Sequence, residues 1–145
     1  MYKLYTMQRS GNSYKVRLAL ALLNIPYEAV EIDILRGESR TPEYLAKNPS
    51  GQIPLLEVDG RYLAESNAIL WYLAEGTPLA PEDRLGRARA LQWMFFEQYS
   101  HEPYIAVARF IVRYLPADHA RRSEMPRLAE RGRHAPAGVG QHPSK

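Results

Sequence analysis

The chain has 145 residues, of which 46% are hydrophobic and 24% charged, and its net charge is +3. That length suits one ordinary domain, or a small domain with part of another, and the near-balanced charge argues against a dedicated nucleic-acid surface although the last third is rich in arginine. There is no cysteine, which excludes disulfides, Cys-X-X-Cys redox chemistry and thiolate metal sites and agrees with a cytoplasmic setting.

Residues 2–6 alternate and contain two tyrosines, so they predict a first strand. This start lacks a charged leader and a long apolar core, so no signal peptide is expected. No apolar run approaches the roughly 20 residues of a membrane span. Residues 8–13 form a polar loop, with Ser13 as the expected cap of a helix from Tyr14. Val16, Leu18, Ala19, Leu20, Leu22 and Leu23 carry that helix for about three turns, until Asn24-Ile25-Pro26 stops it. Tyr27, Ala29, Ile32 and Ile34 predict a second strand, completing a βαβ unit with parallel strands.

Residues 35–40 read as a charged, flexible segment. Thr41-Pro42-Glu43 then opens a short helix ending near Lys47, with threonine as cap and proline in the first turn. Asn48-Pro49-Ser50-Gly51-Gln52-Ile53-Pro54 breaks it and leads into a third strand at 55–58. A proline opening a strand needs no ladder donor, and an X-Pro bond adopts the cis form at small cost. Asp59-Gly60 signals a hairpin to a fourth strand at 62–64. Ser66 is the expected cap of a helix ending at Gly76.

The proline-rich stretch 77–83 reads as a linker between a domain at 1–76 and an all-helical region at 84–145. Helical segments are expected at 84–101, broken or kinked by Pro103, at 104–114, and from Glu124 to about 134. From about 135 the tail carries Pro136, Gly138, Gly140 and Pro143 without an apolar period, so it reads as irregular.

Three polar elements meet if the βαβ and ββα halves pair in the usual way. They are Ser10-Gly11-Asn12-Ser13, Gln52-Ile53-Pro54 and Glu65-Ser66. Two of them are helix N-termini, where free N–H groups and the helix dipole favour an anion. An extended peptide could pair with the backbone at Ile53 as an added strand does, and Glu65 suits an ammonium group. The set fits a short zwitterionic peptide.

These residues, with Leu4-Tyr5, Val16-Arg17-Leu18-Ala19-Leu20 and Asn67-Ala68-Ile69, resemble the soluble glutathione transferase family, in a bacterial form with a phi/theta-like or nu-like first loop. The resemblance covers residues 2–134 and implies an α/β thioredoxin-like N-terminal domain (βαβ-α-ββα) followed by an incomplete all-α C-terminal domain. It implies glutathione as co-substrate with no tightly bound cofactor and no metal, a small electrophile as second substrate, and a homodimer without nucleic acid or membrane. Pro54 would be the cis-proline. The Ile53 backbone would hold the cysteinyl part of glutathione, Glu65 and Ser66 its γ-glutamyl group, and Arg40 and Gln52 its glycyl end.

Ser10 matches the catalytic serine of phi-like and zeta-like patterns, whereas Asn12 falls where beta-class enzymes carry cysteine. Either is the candidate activator, and a mixed disulfide on the protein is excluded. Tyr99, His101, Tyr104 and Arg109 are the candidates for a second-substrate groove. A thiol titrates near pKa 8.5, and lowering that by about two pH units, roughly 2.7 kcal/mol, would make the thiolate dominant at neutrality. The resemblance leaves three functions: a transferase acting on small electrophiles, a glutathione-dependent reductase or isomerase, or a non-catalytic interaction protein. Because family members usually reach about 200 residues, the helical domain reads as truncated, and poor stability or partner-dependent folding is expected unless a dimer compensates.

Overall fold

The computed structural model describes residues 1–134. The chain divides into two compact units, Met1–Pro81 and a second beginning at Glu82. The irregular tail expected from 135 lies outside the described residues.

The first unit runs β1 (Tyr2–Thr6), α1 (Gly11–Leu22), β2 (Tyr27–Glu31), α2 (Pro42–Lys47), β3 (Leu55–Val58), β4 (Arg61–Ala64) and α3 (Ser66–Ala74). The sheet order is β2-β1-β3-β4. β1 and β2 are parallel, and the other two pairings are antiparallel. Asp59 (φ 49°) and Gly60 (φ 75°) both take positive φ, as the tight two-residue hairpin between β3 and β4 requires.

Strand alternation sends neighbouring residues to opposite faces. Leu4 and Leu56 therefore bury against Val16, Ala19, Leu20, Ile69 and Leu73 of α1 and α3. Tyr5 and Leu55 face the other way, onto Tyr44 of α2, with Val30, Ile32 and Ile53 around them. The family's α/β thioredoxin-like architecture is thus built from two layers of helix on one mixed sheet.

Several local expectations are corrected. Ser13 does not cap α1: the helix begins three residues earlier than expected, and the extended Ser10 (φ −80°, ψ 127°) caps it, its hydroxyl accepting from the Ser13 N–H at 3.2 Å. Ser13 is instead fully buried. The second strand ends at Glu31, because the Asp33 carboxylate accepts from the Leu35 N–H at 2.9 Å and turns the chain. The segment at 35–40 is not without structure, since 3-10 turns occupy Ile34–Arg36 and Glu38–Arg40. Ser66 does not cap α3 either. Glu65 holds that position with no side-chain cap, and the helix stops at Ala74.

The second unit contains α4 (Arg84–Phe96), a π-helical turn (Glu97–His101), α5 (Glu102–Tyr114), a 3-10 turn (Ala120–Glu124) and α6 (Met125–His134). Asp83 caps α4 by accepting from the Gly86 N–H at 2.8 Å. Pro103 does not break the helical run, because it lies in the first turn of α5, where a missing N–H costs nothing. The break comes at Leu115, which is extended before Pro116. Arg122 fills the exposed helix end by donating to the carbonyls of Val112, Leu115 and Pro116 at 3.3, 2.8 and 3.1 Å.

Candidate functional site

The sheet register gathers the N-terminal candidates. Tyr5 pairs with Leu55, and Leu55 pairs with Ala64. Because β3 runs antiparallel to both neighbours, the residues just outside this row lie at one end of the sheet. They are the loop leading to Ser10, the Ile53-Pro54 dipeptide, and Glu65-Ser66. The N-termini of α1 and α3 open at that same end. Lys15 of α1 donates to Asn67 Oδ1 of α3 at 3.3 Å, tying the N-terminal parts of the two helices together.

Each element is held by specific bonds. The loop after β1 is closed by the Ser10 N–H donating to the Met7 carbonyl at 3.0 Å. Arg17, nearly two helical turns into α1, reaches back to it. Its guanidinium donates to Thr6 Oγ1 at 2.8 Å and to the carbonyls of Met7 and Gln8 at 3.1 and 2.9 Å. Ser10 and Asn12 are both half-buried. The Ser10 hydroxyl accepts one bond as a cap and keeps its own proton to donate elsewhere.

The Ile53–Pro54 peptide bond is cis, the isomer that the resemblance implies. Pro54 is buried, Ile53 half-buried and Gln52 exposed. Before them, Asn48 is 4% exposed and its Oδ1 accepts from the Ser50 N–H at 3.2 Å and the Ser50 hydroxyl at 2.9 Å. Arg40 donates to the Ser50 carbonyl at 3.0 Å. Gly51 (φ 62°) lies directly under the Arg40 guanidinium, so a Cβ there would collide with it and stand 2.9 Å from the Ser39 carbonyl. Arg40 and Gln52 thus belong to one loop cluster.

Glu65 is exposed and Ser66 is 4% exposed. Glu65 takes φ 69° and ψ 113°, and its side chain does not cap α3. A helix N-terminus at this position favours an anionic acceptor.

The four remaining candidates sit in the second unit. Tyr99 and His101 lie in the π-helical turn, and Tyr104 and Arg109 on α5. Tyr99 is 82% exposed. Tyr104 is tied to α6, since Arg131 donates to its hydroxyl at 3.0 Å and stands 5.7 Å from its ring centre. Among the described residues no group of three or more His, Asp and Glu side chains is placed to hold a metal.

Sequence reading included Arg17 in the resembling motif without giving it a role, and it missed Tyr44. Arg17 hides within an apolar helix. Tyr44 looks like an ordinary core position on a short helix, and only the folded loop shows its hydroxyl donating to the Gln52 carbonyl at 2.7 Å.

The model of the glutathione S-transferase N-terminal domain matches residues 1–75. A maleylacetoacetate isomerase of Rhizobium meliloti is 36% identical over 147 aligned positions, covering 97% of this chain and 69% of that protein. The chain belongs to the glutathione transferase family. A maleylacetoacetate isomerase of Pseudomonas aeruginosa is 48% identical over 93 residues, 60% of this chain. A crystal structure described as a possible glutathione S-transferase from Rhodopseudomonas palustris is 63% identical, with a TM-score of 0.92 over 96% of this chain. The family member described here spans only 44% of the Pseudomonas protein and 64% of the Rhodopseudomonas chain in these matches. Among its described residues no helix is long and apolar enough to cross a membrane.

Proposed function

We propose that this chain binds glutathione at the sheet end of its first unit, holds the sulfur as a thiolate, and transfers it to small electrophiles. The observation that carries the proposal is the shared row Tyr5–Leu55–Ala64, beyond which two helix N-termini and the cis-proline loop all open. Glutathione has the matching chemistry: an extended peptide, a carboxylate at each end and an ammonium group at one.

Ser10 is the group assigned to the sulfur. Its hydroxyl donates to the thiolate while its lone pair caps α1, and the α1 N-terminus adds a favourable dipole. Asn12, in the same turn, is the second candidate donor. The Ile53 backbone pairs with the cysteinyl residue, and Pro54 shapes that edge. Ser66 and the first N–H groups of α3 take the γ-glutamyl carboxylate, with Glu65 beside the ammonium. Arg40 and Gln52 face the glycyl carboxylate. Tyr99, His101, Tyr104 and Arg109 are proposed for the electrophile, and a homodimer in the cytoplasm belongs to the same reading.

A second reading is favoured by the Rhizobium match along 97% of the chain. Here the thiolate adds to one carbon of a conjugated cis double bond, and the bond between the two carbons rotates. The thiolate then leaves with its electron pair, restoring the double bond as trans and returning glutathione. A disulfide-reductase use of the same site, and a non-catalytic binding role, complete the set.

The ultraviolet absorbance of a thiolate on adding glutathione at pH 7 tests the site. Ser10→Ala is expected to abolish that signal and lower kcat/KM about 100-fold, while Ser10→Thr keeps both. Asn12→Ala separates the two donors. No thiolate and no binding by the unaltered chain would refute the enzyme reading. Transferase chemistry consumes one glutathione per turnover, whereas isomerisation leaves its concentration unchanged.

A further inference from the structure

The Gln52 carbonyl receives two bonds that the glutathione site, as described, does not use. The Tyr44 hydroxyl donates to it at 2.7 Å and the Asn48 amide nitrogen at 2.8 Å. Both donors are 4% exposed. A carbonyl oxygen has two lone pairs, so these bonds fill it. We propose that Tyr44, acting with Asn48, is a positioning residue that sets the plane of the Gln52–Ile53 peptide and so aims the Ile53 N–H at the ligand. This inference rests on the glutathione reading above.

The geometry follows from the peptide unit. The bond is planar and trans, so the carbonyl of Gln52 and the N–H of Ile53 point in opposite directions. Pinning one aims the other. Asn48 cannot turn its amide over, because its oxygen is engaged by the N–H and hydroxyl of Ser50. Tyr44 cannot swing away, because Tyr5 holds its ring edge-on at 6.1 Å and 74°. Tyr5 is itself anchored by donating to Glu57 at 2.8 Å. The anchor for Tyr44 thus comes from α2 and from the α2-facing side of β1. Burial pushes the Tyr44 phenol up to about 12, so it remains a donor throughout the range in which a thiol titrates.

Tyr44→Phe keeps the ring and removes only the hydroxyl. It is expected to raise the glutathione Kd and KM about five-fold, with kcat at saturating glutathione and the apparent pKa of the bound thiol unchanged. Tyr44→Phe combined with Asn48→Asp leaves the carbonyl without a donor and is expected to weaken binding by more than the product of the two single effects. The Ile53 amide resonance of the ligand-free protein should move in both single variants. A purely structural role would lower Tm without splitting KM from kcat. Normal binding in the unaltered chain, with an unchanged Kd in folded variants, overturns the proposal alone. Absence of glutathione binding by the unaltered chain overturns the reading beneath it and the proposal together.

Discussion

Glu65 occupies a backbone conformation, φ 69° and ψ 113°, that side chains rarely adopt. Asn24 and Asp59 also take positive φ, at 54° and 49°, but those residue types tolerate it. Strain of about 1–3 kcal/mol at such a position persists only when its surroundings hold it. The twist leaves Glu65 exposed while its neighbour Ser66 turns inward at the head of α3. Glu65→Gly should therefore be more stable than Glu65→Ala by about 1 kcal/mol, reversing the usual order of the two residues, while both weaken glutathione binding. Thermal melts compare the pair. An alanine variant as stable as the glycine variant would show that the position is unstrained. Glutamate here was legible as a site residue, but its backbone was not, since no residue type announces a positive φ in the way glycine does.

Among elements, the face of the sheet covered by α2 carries the tyrosines that brace the site. Burial, and then the bond to Glu57, raise the Tyr5 phenol above its ordinary value of 10.0, and burial raises Tyr44 to about 12. The folded chain holds these protons more tightly than the unfolded chain. Their contribution to stability is thus fully present below pH 10 and is lost as pH rises through about 12. The urea midpoint should accordingly fall between pH 9 and pH 11 (roughly the onset of unfolded-tyrosine ionisation). Tyr44→Phe should flatten that fall, and an unaltered slope would refute the assignment to Tyr44. The strands and α2 were readable because alternation, Thr41-Pro42 and Asp59-Gly60 are local signals. The caps of α1 and α3 were misread by one to three residues. Ser10, Ser13 and Ser66 are chemically similar, and only packing decides which becomes a cap and which a buried helical residue.

At the scale of the whole molecule, the two units are unequally provided with core. In the first, Leu4, Val16, Leu20, Leu55, Leu56 and Ile69 are all at most 1% exposed. In the second, Ile111 and Leu128 are the buried large apolar residues among those described, while Phe95 is 70% and Leu85 60% exposed. Local stability follows buried apolar contact. Amide hydrogen exchange should therefore be slowest in β1, β3 and α1, and at least ten-fold faster in α4 and α5. Equal protection in both units would mean that the second gains core from elsewhere, as a homodimer would supply.

By itself the sequence determined the order of elements, the mixed thioredoxin-like sheet and the family, because those depend on local periodicity and on short motifs whose residues act within a few positions of one another. Ile53-Pro54, Asp59-Gly60 and Thr41-Pro42 each carry their geometry with them. The tertiary structure alone decided which serine caps α1, the twist at Glu65 and the donation from Tyr44 to the Gln52 carbonyl. Each of these joins groups whose meeting depends on strand register and on burial. A side chain's hydrogen-bond partner is chosen by what remains unsatisfied after the core has closed, and no window of sequence contains that information.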